Sequence, residues 1–466
     1  MFGRLGSVWL IAATILAGGA AKAQMPFPSD LVPSRSALAR VGLERHWFTV
    51  IPLVEVERVL RVSLAQETIY VQTNYSQLYA IDAESGRHLW SAHLGERSNF
   101  ARGVAANSYA VFLTNSNFLH CLDKKTGRPI WKYNLGTIPT SSPAADDHRV
   151  VVGLTSGKIV GFNLKKKDSK GNETLLPAVL PAWQWATGGP VISRPLLTDQ
   201  IVAYGGGKGN LYVAMTEEAT QLYRFVTNGM VGDGLGAHDT RTLLVPSSDN
   251  NLYAVDLLTG ERIWTFPSGA PIQQAPMVAD HDVLVINVNG ELSDLDPENG
   301  SPRWTISTQG GQINAVSEKK IYLRSYNRDL FVIDRATGSV LADPGETHVR
   351  AGLNLRDYDL WVINRFDDRI YYGTSSGMVV ALREPGQVKP RFLRDPKEKP
   401  FGYVPPQGLE PFSSRKKAPT LTADPSAPAE DPDAAAPKKE DDGAPKKEDE
   451  AAPNEEKKPE GDEPKF

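Results

Sequence analysis

A thirteen-residue pattern recurs along the chain. LYAVDLLTGERIW (252–264) is matched by LYAIDAESGRHLW (78–90), LHCLDKKTGRPIW (119–131), LSDLDPENGSPRW (292–304) and the weaker LFVIDRATGSVLA (330–342). Self-similarity with a period near 40 residues restricts the fold to a propeller or a solenoid, because one such unit cannot bury its apolar face alone and must stack on its neighbours. One aromatic position, followed through the whole chain, gives Trp47, Trp90, Trp131, Trp183, Tyr223, Trp264, Trp304 and then Leu341, with steps of 43, 41, 52, 40, 41, 40 and 37 residues. Eight units result.

Within the units, strand-length apolar runs such as RVVVGL (149–154), KIVGFNL (158–164), TLLVPS (242–247) and VLVINV (283–288) are separated by turn-rich pieces, and no long helical pattern intervenes. The expected fold is therefore all-β, an eight-bladed β-propeller with four-stranded antiparallel blades over residues 42–386. The last unit runs through RIYYGTSS (369–376) and MVVALREPG (378–386) and then turns Pro-rich without an outer strand. GLERHWFTVIPLV (42–54) carries Trp47 in the outer-strand phase, ahead of RVLRVSLA (58–65). The N-terminal strand is expected to complete the last blade and close the ring, which leaves no sheet edge exposed.

In AVDLLTGERIW, Asp256 ends a strand and can accept turn N–H groups, Thr259 adds a bond of the same kind, and Gly260 supplies a positive φ. Trp264 then stands on the outer strand, where a flat ring can dock one blade on the next. Trp47, Trp90, Trp131, Trp183 and Trp304 are assigned the same structural role. The order Ala-x-Asp-x-x-Thr-Gly-x-x-x-Trp, followed by Ala80 to Trp90 and Ala254 to Trp264 with Cys121 replacing Ala in a third copy, resembles the tryptophan-docking motif of PQQ-type (pyrroloquinoline-quinone) propellers. That family contains quinoprotein dehydrogenases, which hold PQQ and a metal ion, and non-enzymatic scaffolds such as outer-membrane assembly factors of the BamB type. The resemblance implies either PQQ with calcium or no cofactor at all.

The residues favour no cofactor. Quinoprotein enzymes of the family commonly carry adjacent cysteines, and Cys121 is the single cysteine here. Asp82, Asp123, Asp256, Asp296 and Asp334 share one turn phase in different blades and cannot converge on a metal. GGGKGN (205–210) lacks the Ser or Thr of a phosphate loop and falls in the phase of a hairpin turn. His148, His238 and His281 fall one per blade in turns after inner strands, so no zinc site is expected. GLTSG and GTSSG do not fit Gly-x-Ser-x-Gly, so no catalytic residue is assigned, and Cys121 reads as a small core residue. Counting from the tryptophan phase brings Arg102, Ser142, Arg194, Gln274, Asn314 and Arg350 to the mouth of the central channel. They are read as donors solvating a water-filled channel, with an anion or acidic-peptide site as the alternative. A blade-three insertion, NLKKKDSKGNETLLPAVLP (163–181), is expected to be a solvated loop.

The ends complete the domain plan. Val8 to Leu16 followed by Ala21-Lys22-Ala23 reads as a secretory signal peptide over 1–23, then a lead-in over 24–41. No segment approaches the roughly 20 apolar residues of a membrane helix, and no cysteine follows the signal to take a lipid anchor. After a Pro-rich extension over 387–412, residues 413–466 carry 10 basic and 15 acidic residues and read as a disordered charged tail. Without that tail, Arg4 and Lys22, the chain holds 39 basic and 40 acidic residues, which offers no basic excess for nucleic acid. The expected protein is an exported, monomeric, non-enzymatic scaffold binding protein partners in a bacterial periplasm or cell envelope, or secreted. The alternatives are a PQQ-dependent oxidoreductase and a small-ligand or carbohydrate sensor at the channel mouth.

Overall fold

The computed structural model describes residues 31–402, apart from 217–219, 309 and 396. The signal segment and the charged tail lie outside the described residues. Eight four-stranded antiparallel sheets follow one another along the chain. In blade 1 the strands run Val59–Ala65, Thr68–Thr73, Gln77–Asp82 and His88–His93 from the inside outward, and the other blades repeat this order. The second strands, such as Thr68–Thr73 and Ala110–Asn115, are buried along their whole length, because both faces meet adjacent blades. Outer strands bury little besides the ring: in His88–His93 only Trp90 is fully enclosed. Burial is therefore concentrated between blades, around the inner three strands.

Ring closure follows the sequence reading. The strand Glu44–Val50 pairs with Met378–Arg383 as the fourth strand of blade 8, and Trp47 lies opposite Ala381. The same pairing recurs as Ala80 with Trp90, Cys121 with Trp131, Gly161 with Trp183 and Ala254 with Trp264. A small residue under each indole lets the ring lie flat and reach the next blade. There it donates its N–H to a turn carbonyl: Trp47 to Ala83 at 2.9 Å, Trp90 to Lys124 at 2.8 Å, Trp264 to Pro297 at 2.9 Å and Trp304 to Arg335 at 3.1 Å. The receiving turn must carry glycine. Gly127 has φ 70°, and a Cβ there would come within 2.3 Å of the Trp90 ring; Gly300, at φ 72°, would approach Trp264 to 2.5 Å. The turn aspartates act locally, as Asp82 does in accepting from the Ser85 N–H at 2.7 Å and Asp256 from that of Thr259 at 2.9 Å. Cys121 is buried in this layer, and burial pushes its thiol up to about 12, so it is an inert core residue.

One position is corrected. The register of blade 7 places Ala342, opposite Val332, where the tryptophan stands elsewhere, and Leu341 is an exposed bulge residue. The aromatic series took Leu341, whereas the thirteen-residue pattern 330–342 itself ends on Ala342, and that one-residue difference moves the side chain to the other face of the strand. The wedge a tryptophan would fill between blades 7 and 8 is taken by a short helix, Arg35–Arg40, capped by the Ser34 side chain. Its Ala37 and Leu38 are buried with Tyr322, Leu330 and Val332 of blade 7 and with Tyr372 and Val380 of blade 8. The N-terminal segment thus closes the ring twice, by hydrogen-bonded strand and by apolar plug.

Two further segments gain detail that the repeat does not encode. The blade-three insertion, expected as a solvated loop, is exposed along Glu173–Leu175 and contains a β-hairpin, Lys165–Lys167 against Glu173–Leu175, with a Lys165–Glu173 ion pair at 3.4 Å. The described part of the Pro-rich extension, which reaches Gly402, is laid across the face bearing the turns that follow the inner strands. Leu393 is buried and exchanges backbone bonds with Phe366 and Asp280, the Arg391 guanidinium meets Asp280 at 2.8 Å, and the Gly402 N–H reaches the Thr240 carbonyl at 2.9 Å. It therefore straps blade 8 to blades 6 and 5.

Blade 6 breaks the small-residue rule with Asp294 opposite Trp304. Burial, and then repulsion from Asp282, push this carboxyl up to about 6, against the partial relief of Arg303 at 3.3 Å. Its folded value lies above the ordinary carboxylate value of 3.8, so the native state retains a proton that the unfolded chain releases. The stabilisation is complete below about pH 4 and is lost as pH rises through about 6. Asp294→Asn should remove this slope, gaining up to about 3 kcal/mol on the parent between pH 4 and pH 7.5, at ~1.4 kcal/mol per pKa unit. Denaturant melts of both proteins across that range check it, and parallel stability curves would refute it.

Candidate functional site: the central channel and its loop face

The loops joining each outer strand to the next inner strand gather on one face, around the channel. Three of the six residues assigned to this mouth are spent on holding adjacent blades together. Ser142 Oγ accepts from the Gly103 N–H at 2.8 Å, Gln274 donates to the Gly311 carbonyl at 2.8 Å, and Asn314 donates to the Val362 carbonyl at 3.4 Å. Arg350 is not in the mouth. It ends a six-residue π-helix, Gly345–Arg350, pinned over blade 7 by Thr347 bonding the Leu330 carbonyl, and its exposed side chain pairs with Glu346 at 3.2 Å. The repeat count failed there because this linker, from Asp343 to Asp359, is longer than those of the other blades.

Arg102 and Arg194 do come together, with three residues the counting missed. Arg61 and Arg194 occupy one register position, two residues ahead of Ser63 and Leu196, which pair with the buried Tyr70 and Ala203. Gly103, Ser142, Gly234 and Ala275 hold that position in other blades, so two long cationic chains face small neighbours. Asp233 stands one residue earlier in blade 5, where its backbone carbonyl accepts from the Arg194 N–H at 2.9 Å. Arg365 enters from the far end of blade 8 and reaches up to the Ala275 carbonyl at 3.3 Å. Arg61 was missed because it stands 14 residues after Trp47, whereas Arg194 stands 11 after Trp183, and Arg365 because it follows its inner strand rather than leading into it. All four arginines lie within electrostatic reach of Asp233. Burial lowers the pKa of Arg61, Arg194 and Arg365, the last to about 10, and burial raises that of Asp233 despite its cationic neighbours.

The same face carries exposed apolar side chains on four of its linkers, the first three consecutive: Val56 (64% exposed), Phe100 (70%), Ile138 (55%) and Met230 (51%). On the opposite face, His238 and His281 share a cavity of about 680 Å³ under the C-terminal strap, while His148 stands apart, between Glu173 and Asp199 at 3.4 Å each. Among the described residues no group of three or more His, Cys, Asp or Glu is arranged to hold a metal. GGGKGN is a hairpin turn, Gly205 ending one strand and Asn210 beginning the next.

The profile of the family described as outer membrane protein assembly factor BamB matches residues 55–265, 180–341 and 248–390. The chain belongs to this BamB family. Overlapping matches are what near-equivalent repeats produce, and together they run from the first blade to the last. Among BamB-family relatives, the outer membrane protein assembly factor BamB of Shewanella oneidensis is 20% identical over 50% of this chain and 63% of its own length. That of Yersinia pestis is 22% identical over 60% of this chain and 64% of its own. The chain thus spans a little under two thirds of the length of each of these curated relatives. The computationally designed Ika8 protein superposes with a TM-score of 0.54 at 13% identity, over 70% of this chain and 96% of its own, which shows a shared fold. No helix among the described residues is long and apolar enough to cross a membrane.

Proposed function

We propose that this BamB-family propeller is a non-enzymatic interaction scaffold of the bacterial periplasm or cell envelope, taking part in outer-membrane protein assembly as the names of its relatives describe. The observation that carries the reading is the set of exposed apolar residues, Val56, Phe100, Ile138 and Met230, on linkers of one face. Loops held by a rigid scaffold are where binding residues concentrate, and clustered exposed apolar side chains mark protein interaction sites. The repeated Asp, Gly and Trp residues, by contrast, are absorbed in turns and blade docking. The triple variant Phe100→Ser, Ile138→Ser, Met230→Ser should fold with the parent's melting curve, yet fail to restore outer-membrane β-barrel protein levels in cells lacking the gene. Full restoration by the variant would reject the face. A scaffold also requires that titration with PQQ and calcium give neither cofactor absorbance nor dye-linked alcohol oxidation; turnover would overturn the non-enzymatic assignment.

A further inference from the structure

We infer that the channel of this propeller is an oxyanion site, in which Arg61, Arg102, Arg194 and Arg365 hold a phosphate or carboxylate group beside Asp233. Three geometric observations carry it. The charges do not balance: four guanidinium groups face one carboxylate, and among the described residues none of the four makes an ion pair with it. Their donors are largely unspent on protein. Arg102 and Arg365 each give one bond to a backbone carbonyl, at 3.4 and 3.3 Å, and the Arg61 and Arg194 guanidiniums give none among the described residues. Each guanidinium carries five N–H groups in a planar fork that matches an oxyanion. Room is also provided. A cavity of about 250 Å³ is walled by Ala65, Ala105, Ala106 and Ala145 around Arg194 and Arg365. Small residues border two of the arginines: a Cβ on Gly103 would lie in ordinary contact with Arg61 Nε, at 3.8 Å, and one on Gly234 in the same contact with Arg365 Nη1, at 3.8 Å.

The electrostatics agree. Arg61, Arg194 and Arg365 are each held below the usual guanidinium range by burial and by a neighbouring arginine, a cost that a bound anion relieves. Asp233 sets the selectivity of the site: with it the net charge is three positive, which suits a mono- or dianion. Fields focused in a protein-walled channel are stronger than those on an open surface and weaken with salt.

Calorimetric titration of the full chain at low salt with inorganic phosphate, and separately with an acetylated Asp-Glu tetrapeptide, tests the inference. One site per chain is expected, with affinity falling as salt is added. Arg61→Gln with Arg194→Gln should weaken binding at least tenfold, whereas Asp233→Asn should tighten it severalfold, a direction that a merely structural role for Asp233 would not give. Binding of phosphate with these responses identifies a free oxyanion as the ligand; binding of the peptide alone identifies carboxylate side chains of a polypeptide. Absence of binding by both, or binding indifferent to Asp233→Asn and to the double variant, overturns the site. Should the double variant fail to fold, the sign of the Asp233→Asn effect decides alone.

Discussion

A chain beginning at residue 55 should not fold. It loses Glu44–Val50, the fourth strand of blade 8, and the helix Arg35–Arg40 that fills the wedge between blades 7 and 8. Trp47, buried against Tyr371 and bonded to Ala83, contributes ~3–5 kcal/mol on the scale of aromatic truncations. Leu38, Leu43 and Ile51, all buried, add ~1.5–3 kcal/mol each. The loss is comparable to the roughly 5–15 kcal/mol that stabilises an ordinary domain, and it also opens the last sheet to edge pairing. Aggregation or a molten circular-dichroism spectrum is expected, with recovery when a peptide of residues 31–54 is added in trans. A truncate that melts with the parent would show that the ring does not need N-terminal closure.

Trp264→Ala should cost ~3–5 kcal/mol, since it removes a buried ring, a hydrogen bond to Pro297 and the packing on Gly300 at once. Gly300→Ala should be costly from the other side of the same contact, because the new Cβ meets the indole at 2.5 Å and the backbone is left-handed there. The two effects should be strongly non-additive, since each variant destroys the same docking. Trp183 supplies the control. Among the described residues its indole N–H has no acceptor, so Trp183→Phe should cost less than Trp264→Phe. Urea melts of the four single variants and of the Trp264→Ala, Gly300→Ala pair decide it; equal costs for the two Phe variants would mean that the indole hydrogen bond contributes nothing.

The fold was legible because its determinants are local and repeated: a turn aspartate, a left-handed glycine and an outer-strand ring recur at a spacing that only a stacked architecture explains. Legibility ended where a unit departs from the repeat. Ala342 in place of tryptophan, the helix that compensates for it, and the strap from Val388 to Gly402 are tertiary answers to local gaps, and no periodicity encodes them. The candidate site was half visible for the same reason. Arg102 and Arg194 obey the count, Arg61 and Arg365 do not, and only the register of the inner strands aligns Arg61 with Arg194. Ser142, Gln274 and Asn314 share the right phase but are consumed by their neighbours, which a sequence position cannot disclose.

The central claim is that the linker face, not the rim, meets a partner in outer-membrane assembly. A photocrosslinking residue placed at Phe100 or Ile138 in living cells tests it directly, with the exposed outer-strand position Leu89 as the reference. The expected result is a discrete crosslinked product from both linker positions, containing a component of the outer-membrane assembly machinery, and none from Leu89. Crosslinks of equal yield from Leu89, or none from either linker position, would contradict the account.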